Sequence, residues 1–409
     1  MEIRELKPEE QIQYSGICQT VFFDLERRDI REMMKDPLKH VQDDEKMRFG
    51  AFDGEKLQSA MVVNPYTMRM NGKVVKMGGI GAVVTRPEAR GKGNIRQIFE
   101  KAFPAMLEAG QIFSFLYPFS YAYYRKFGYE MCLQRNSVRI PISEFSGYRY
   151  PQNFTPYEPG DSIAPFEDIY ENFARNRNLS FVRNYDDWER ILKRDPYKNL
   201  EFTYLHHAPQ GNADGYILYG GEVNNTEGNI IKIKECCWNT PEALHGILGF
   251  LSKMGAEYEY VDWEVPNDVN IYAMLPDGYS PQYRVNPSGM NRILNVQAAL
   301  ETLHPPENGG VTPNGGVVTI GVTDTFFPVN SGQYEIQWNC EHLAVQKLAT
   351  GKTTPDMETS IETLTQLVTG FTSTEEALYK QDTKLNDKYA LTELIALFPK
   401  QKLYMMESF

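Results

Sequence analysis

Positive charge, cysteine and long apolar runs are what this chain has little of. Lys and Arg number 42 against 54 Asp and Glu in 409 residues, a formal net charge of −12. A surface that neutralises nucleic-acid phosphates wants the opposite balance, so the deficit argues against that partner and suits a cationic small molecule. The five cysteines, Cys18, Cys132, Cys236, Cys237 and Cys340, form an odd, scattered set without C-x-x-C spacing. That disfavours a disulfide framework and a zinc site, so no metal is expected, and it predicts thiols buried as small hydrophobes. No apolar run approaches the roughly 18 residues of a membrane span, and Met1 to Lys7 is charged with no apolar stretch behind it. Neither a membrane anchor nor a secretory leader is expected, which makes the cytoplasm the expected compartment.

What is present is an ordinary globular composition, 42% hydrophobic and 23% charged, on a chain too long for one core. Two or three domains follow from length, each large enough to bury a core of its own. The first, 1–150, opens with an apolar period near 3.6 over Leu6 to Glu26, which predicts a helix. Hairpin signals at Asp53-Gly54 and Asn71-Gly72 then separate the strands Met47 to Phe52, Leu57 to Asn64 and Val74 to Thr85. Ile95, Ile98, Phe99, Ala102, Phe103, Met106 and Leu107 mark one face of a helix, Gln111 to Tyr117 a buried strand, and Tyr121 to Phe127 a short helix.

After a proline-rich stretch, Tyr148 to Pro165, a second unit over 151–288 repeats this order. A helix is expected over Ile169 to Leu192, strands over Glu201 to Leu205, Gly215 to Tyr219 and Ile230 to Cys236, a helix over Ala243 to Met254 and a strand over Glu257 to Val265. Trp238-Asn239-Thr240-Pro241 replaces any basic Gly-rich turn here, so a second cofactor site is not expected. His206 and His207, beside Pro209, read as a solvated loop. A third unit, 289–409, is predicted to mix strands at Val317 to Asp324 and Gln333 to Trp338 with helices at Ser360 to Leu367 and Ala390 to Leu397. The chain ends Leu403, Tyr404, Met405, Met406, Glu407, Ser408, Phe409, an apolar close that suggests a docked terminus.

The segment from Gly78 to Asn94 carries the chemistry. An apolar strand runs into the basic turn Arg90-Gly91-Lys92-Gly93-Asn94 and then into a helix, the arrangement in which outward-pointing backbone N–H groups hold phosphate oxygens. The turn resembles the acyl-CoA pyrophosphate site of the GNAT acetyltransferases, whose pattern is Arg or Gln, two residues, Gly, one residue, then Gly or Ala. Arg90 and Gly93 fit, and Ile95 departs at the last position. Tyr124-Arg125-Lys126-Phe127-Gly128-Tyr129 resembles the second GNAT signature, and the spacing from Arg90 leaves room for a helix, a strand and a turn into a second helix. Amine attack on a thioester expels a thiolate, so a phenol that supplies a proton eases its departure. Tyr124 is the candidate, with Tyr123 its competitor.

The whole chain resembles the Eis-type acetyltransferases, which join an active GNAT domain, a degenerate GNAT domain and a domain like sterol carrier protein. The resemblance rests on RGKGNIR at Arg90 to Arg96, where this family tolerates an aliphatic residue at Ile95, on FFD at Phe22 to Asp24, on YYRKFGY at Tyr123 to Tyr129 and on a final Phe. It implies a mixed α/β fold of tandem GNAT units, Tyr124 as general acid and the main-chain carboxylate of Phe409 as general base. It further implies acetyl-CoA as co-substrate, held by Val83, Val84 and Thr85 along the pantetheine, by Arg90, Gly91, Lys92, Gly93, Asn94, Ile95 and Arg96 at the pyrophosphate, and by Phe119 and Ser120 along the arm. Asp24 would face a cationic amine of aminoglycoside type, with a protein lysine or a polyamine as alternatives, or acyl-CoA sensing without turnover. A hexamer is implied as well. No cysteine adjoins either motif, which favours direct transfer over a covalent acyl carrier.

Overall fold

The computed structural model describes residues 1–22, 28–41, 44–193, 195–224, 226–306, 315–349, 354–407 and 409. Its strands form three sheets of seven, seven and five. The first runs, in spatial order, Glu2–Glu5, Met47–Asp53, Lys56–Met70, Lys73–Thr85, Phe113–Leu116, Met290–Ile293 and Glu130–Met131. Its long central hairpin closes where the sequence signals it: Met70 pairs with Lys73, and Asn71 and Gly72 between them take φ of 49° and 70°. Two successive positive φ values match the right-handed twist of the flanking strands.

Residues of the central strands alternate between two cores. The helix Asn94–Glu108 covers one face, where Ile98, Phe99, Ala102, Phe103 and Met106 meet Phe49, Met61, Val63 and Ile80 with none of those five exposed. The opposite face, through Met68, Met70, Met77, Phe113 and Phe115, shares a core with the third sheet, with Leu179 and Phe181, and with Leu403 and Met405 near the chain end. Burying each such large apolar side chain is worth about 1.5–3 kcal/mol, so this shared core binds the three parts into one body.

The second sheet orders Gln282–Pro287, Gln134–Pro141, Tyr260–Val265, Ile230–Trp238, Ala213–Glu222, Glu201–His207 and Phe154–Pro156. The chain crosses between sheets twice. Gln134–Pro141 follows the first unit's motifs yet pairs in the second sheet, and Met290–Ile293 returns to lie between Phe113–Leu116 and Glu130–Met131 in the first. The third sheet is Leu343–Lys347, Gly332–Trp338, Gly316–Thr323, Met357–Ser360 and Lys384–Leu385.

Three expectations change. The helix expected over Ile169 to Leu192 is two, Ala164–Ala174 and Tyr185–Leu192. Between them Leu179 is left-handed at φ 69°, and the chain there bonds in extended form to the first sheet, Leu179 N–H to the Arg69 carbonyl at 2.9 Å and Val182 N–H to that of Thr67 at 2.8 Å. Leu179 and Phe181 kept an apolar spacing because they face another unit. His206 and His207, expected in a solvated loop, are the last two residues of the strand Glu201–His207; His207 is half-buried and His206 is buried, its Nδ1 lying 2.6 Å from Asp214 Oδ1. Of the thiols, four are buried and Cys340 is exposed. No described helix is long and apolar enough to cross a membrane.

Candidate active site

Lys73–Thr85 and Phe113–Leu116 pair in parallel from Met77 with Phe113 to Ile80 with Leu116, and there the pairing stops. Beyond it Gly81–Thr85 continues alone on that side, held on the other by Lys56–Met70 through a register shift between Ala60 and Val62. Ala82, at the bulge, takes φ 41°. Such a bulge re-aims the backbone and leaves its amide and carbonyl groups facing the gap, where an extended ligand can pair as a strand would. Val84 is buried in the core with Ile17 and Leu57, so only its backbone can serve a ligand.

From this strand the chain passes Pro87–Ala89 and reaches the cradle. Gly91 and Gly93 take φ of 74° and 78°, and a Cβ on either would meet nothing within 4 Å. Nothing crowds these glycines, so they are required by backbone conformation and leave the turn open to a ligand. Gly93 caps the helix Asn94–Glu108, whose first closing bond is Gln97 N–H to the Gly93 carbonyl at 3.2 Å. The amides ahead of Gln97 therefore point out of the helix end. Arg90, Lys92 and Arg96 are exposed around them, and buried Asn94 ties the turn to the sheet through Ser59 Oγ at 3.0 Å. Ile95, the departure from the general motif, points into the core beneath the helix, where an aliphatic side chain is an asset.

Tyr124 lies on the helix Tyr121–Arg125, which Ser120 caps by accepting from Tyr123 N–H at 3.3 Å. Its ring is buried edge-on among Phe99, Phe119, Tyr123, Phe127 and Tyr129, with the Phe119 centroid at 5.5 Å. Burial, then the neighbouring Tyr123, pushes its phenol above the ordinary value. Phe119 is largely exposed beside it. The following turn is held from below by the buried pair Arg292–Asp324. Arg292 donates to the Phe127 carbonyl, and a Cβ on Gly128 would overlap its guanidinium at 1.8 Å. Removing one partner of such a pair costs about 3–5 kcal/mol, so this loop is rigidly placed.

Phe409 lies against the strand Lys73–Thr85 on the sheet face away from the helix Asn94–Glu108. A Cβ on Gly79 would come within 2.7 Å of its ring, and one on Gly81 within 3.3 Å of its carboxyl carbon, whereas one on Gly78 would strike Met106 of that helix. The ring packs with Tyr66, Phe115, Tyr117 and Phe181 at centroid distances of 5.1 to 6.1 Å. The tail reaches this position through the Tyr117 hydroxyl, which donates to the Glu407 carbonyl at 2.5 Å, and Arg183 Nε, which donates to Glu407 Oε1 at 2.8 Å. Tyr124 thus belongs to one core and Phe409 to the other, on either side of the sheet where the strands part.

Comparison with known families finds an acetyltransferase (GNAT) domain at residues 2–132, a second at 179–293 and a sterol carrier protein domain at 296–406. The chain belongs to the GNAT acetyltransferases. Solved structures share its fold over the full length: a probable N-acyltransferase from Enterococcus faecalis V583 at 22% identity and TM-score 0.84, covering 100% of this chain and 99% of that one, and Eis1 from Mycobacterium abscessus at 16% identity and TM-score 0.78, covering 100% of both. A GCN5-related N-acetyltransferase from Anabaena variabilis also matches, at 19% identity and TM-score 0.83 over 100% of both chains. No curated protein matches in sequence. Two GNAT units followed by a sterol-carrier-like unit is the Eis-type build.

Within the first GNAT unit Val83, Ile95, Tyr121, Tyr123 and Tyr124 share one core, the turn Arg90 to Asn94 follows the strand that carries Val83, Val84 and Thr85, and Phe409 lies on the other face of that strand. Asp24 lies outside the described residues. Among those residues no group of three or more His, Cys, Asp or Glu is placed to hold a metal ion. Sequence reading missed Gly79 and Gly81 as the floor beneath Phe409, and missed Arg183 altogether. The glycine run Gly78-Gly79-Ile80-Gly81 was the visible signal for the floor; a lone Arg between apolar residues gave none.

Proposed function

We propose that the chain transfers an acetyl group from acetyl-CoA to a primary amine of a cationic small molecule, of aminoglycoside type, by direct attack in a ternary complex. GNAT domains use acetyl-CoA generally, and the gap beside Gly81–Thr85 with the open glycine turn after it fits that co-substrate: a free strand edge for pantetheine, then helix-end amides and exposed Arg90, Lys92 and Arg96 for pyrophosphate. The observation that carries the reading is Phe409, whose carboxyl carbon rests on Gly81 where the strands part.

The chain's own groups then divide the proton work. The Phe409 carboxylate takes a proton from the attacking amine as its nitrogen bonds to the carbonyl carbon. Tyr124 gives its proton to sulfur as the carbon–sulfur bond breaks. A buried phenol is a weaker acid than usual, but the same burial raises the affinity of a departing thiolate for a proton, so the transfer remains matched. Aromatic rings around Phe409 and the net charge of −12 favour a cation on the acceptor side. A hexamer and a cytoplasmic setting belong to the same reading.

Incubating the protein with acetyl-CoA and a panel of amines, with products resolved by mass spectrometry, tests it. Acetylated polycationic amines are expected, with neutral amines modified less. Binding of acetyl-CoA without any acetylated amine would make the chain an acyl-CoA-binding module.

A further inference from the structure

The second GNAT unit repeats the first unit's strand geometry. Ile230–Trp238 and Tyr260–Val265 pair in parallel only from Ile230 with Tyr260 to Lys232 with Asp262, then separate. The register against Ala213–Glu222 shifts between Leu218 and Tyr219, leaving Lys234 as an extra residue beside the gap, the counterpart of the bulge at Ala82. The turn that follows has no glycine cradle. Instead Tyr404 and Met406 line this gap together with Ile233, Glu235 and Trp263, and what remains between them does not admit a water molecule.

One buried side chain joins this gap to the chain end. Arg183 makes two bonds to Glu235, at 2.8 and 2.6 Å, and a third to Glu407 Oε1 at 2.8 Å. Its guanidinium lies 3.9 Å from the Tyr170 ring centroid and 4.7 Å from that of Trp188. The tail is also anchored upstream, Asn178 N–H bonding to the Lys402 carbonyl at 2.8 Å and Tyr404 N–H to that of Asn178 at 3.0 Å. From Lys402 to Glu407, then, the tail is bonded to the second unit through Asn178 and Arg183, while Leu403 and Met405 pack in the shared core and Tyr117 of the first unit holds the Glu407 carbonyl.

We propose that the second GNAT unit is the seat of the tail: its strand gap holds Tyr404 and Met406 in place of a cofactor, and Arg183 is a positioning residue that sets Phe409 on Gly81 by way of Glu407. The inference rests on the reading of Phe409 as the base. A flexible tail would present its carboxylate in many orientations, and an arginine fork between a strand carboxylate and a tail carboxylate selects one.

Glu407→Ala in the full chain is the test, because Arg183 keeps both bonds to Glu235 and the second unit's core keeps its charge balance. Loss of a charge-assisted bond should make carboxypeptidase release Phe409 about 10- to 100-fold faster, and kcat should fall by about 100-fold while the KM for acetyl-CoA stays within about twofold. Glu407→Gln, which retains an oxygen for Arg183 Nε, should recover most of both properties. Release of Phe409 from Glu407→Ala no faster than from the native chain overturns the proposal, as does release from Glu407→Gln as fast as from Glu407→Ala. Faster release with unchanged kcat upholds the seat and removes Phe409 from the base role.

Discussion

As the proposed acid, Tyr124 must be protonated to act, and burial among five aromatic rings with Tyr123 beside it raises its phenol above the ordinary value. The raised value moves loss of the acid form upward, so activity should climb with pH as the amine loses its proton and should not decline below about pH 10, the ordinary phenol value. Tyr124→Phe keeps the ring packing and removes the proton; kcat should fall about 10²- to 10⁴-fold with acetyl-CoA affinity nearly unchanged, read by steady-state kinetics beside a binding titration. Equal loss of both would make the residue structural. Tyr124 was legible because its motif is local and stands at a fixed distance from Arg90. Arg183 was not, since its partners Glu235 and Glu407 lie 52 and 224 residues away and only folding joins them.

At the level of elements, the cradle is a strand bulge, a two-glycine turn and a helix end acting together. An alanine at Gly93, φ 78°, would pay roughly 1–2 kcal/mol for a left-handed backbone, or relax and turn the amides away. Gly93→Ala should therefore raise the KM for acetyl-CoA about 10-fold with kcat little altered, a split that steady-state kinetics reads directly. These elements were readable because turn residues and helical period are local. The strand crossings at Gln134–Pro141 and Met290–Ile293 were not, for alternation marks a strand without naming its partner. The helix expected over 169–192 failed for a related reason: Leu179 and Phe181 are apolar because they pack on the first sheet and the tail, and that spacing imitates a helical face.

Over the whole molecule the three units share one task. The third unit supplies the chain end, the second grips it through Tyr404, Met406 and Glu407, and the first offers Gly79 and Gly81 as its floor. The sequence hinted at this only through an apolar run, Leu403 to Met406, and a final Phe at the end of an acidic chain, and the resemblance to Eis-type enzymes turned the hint into a proposed role for Phe409. The most direct measurement compares kcat for amine acetylation by the native chain and by a chain carrying one added glycine after Phe409, with acetyl-CoA affinity measured in both. The extension replaces the carboxylate at Gly81 with an amide, so kcat should fall by about 100-fold or more while acetyl-CoA binding holds. Equal turnover by the two chains would contradict the account.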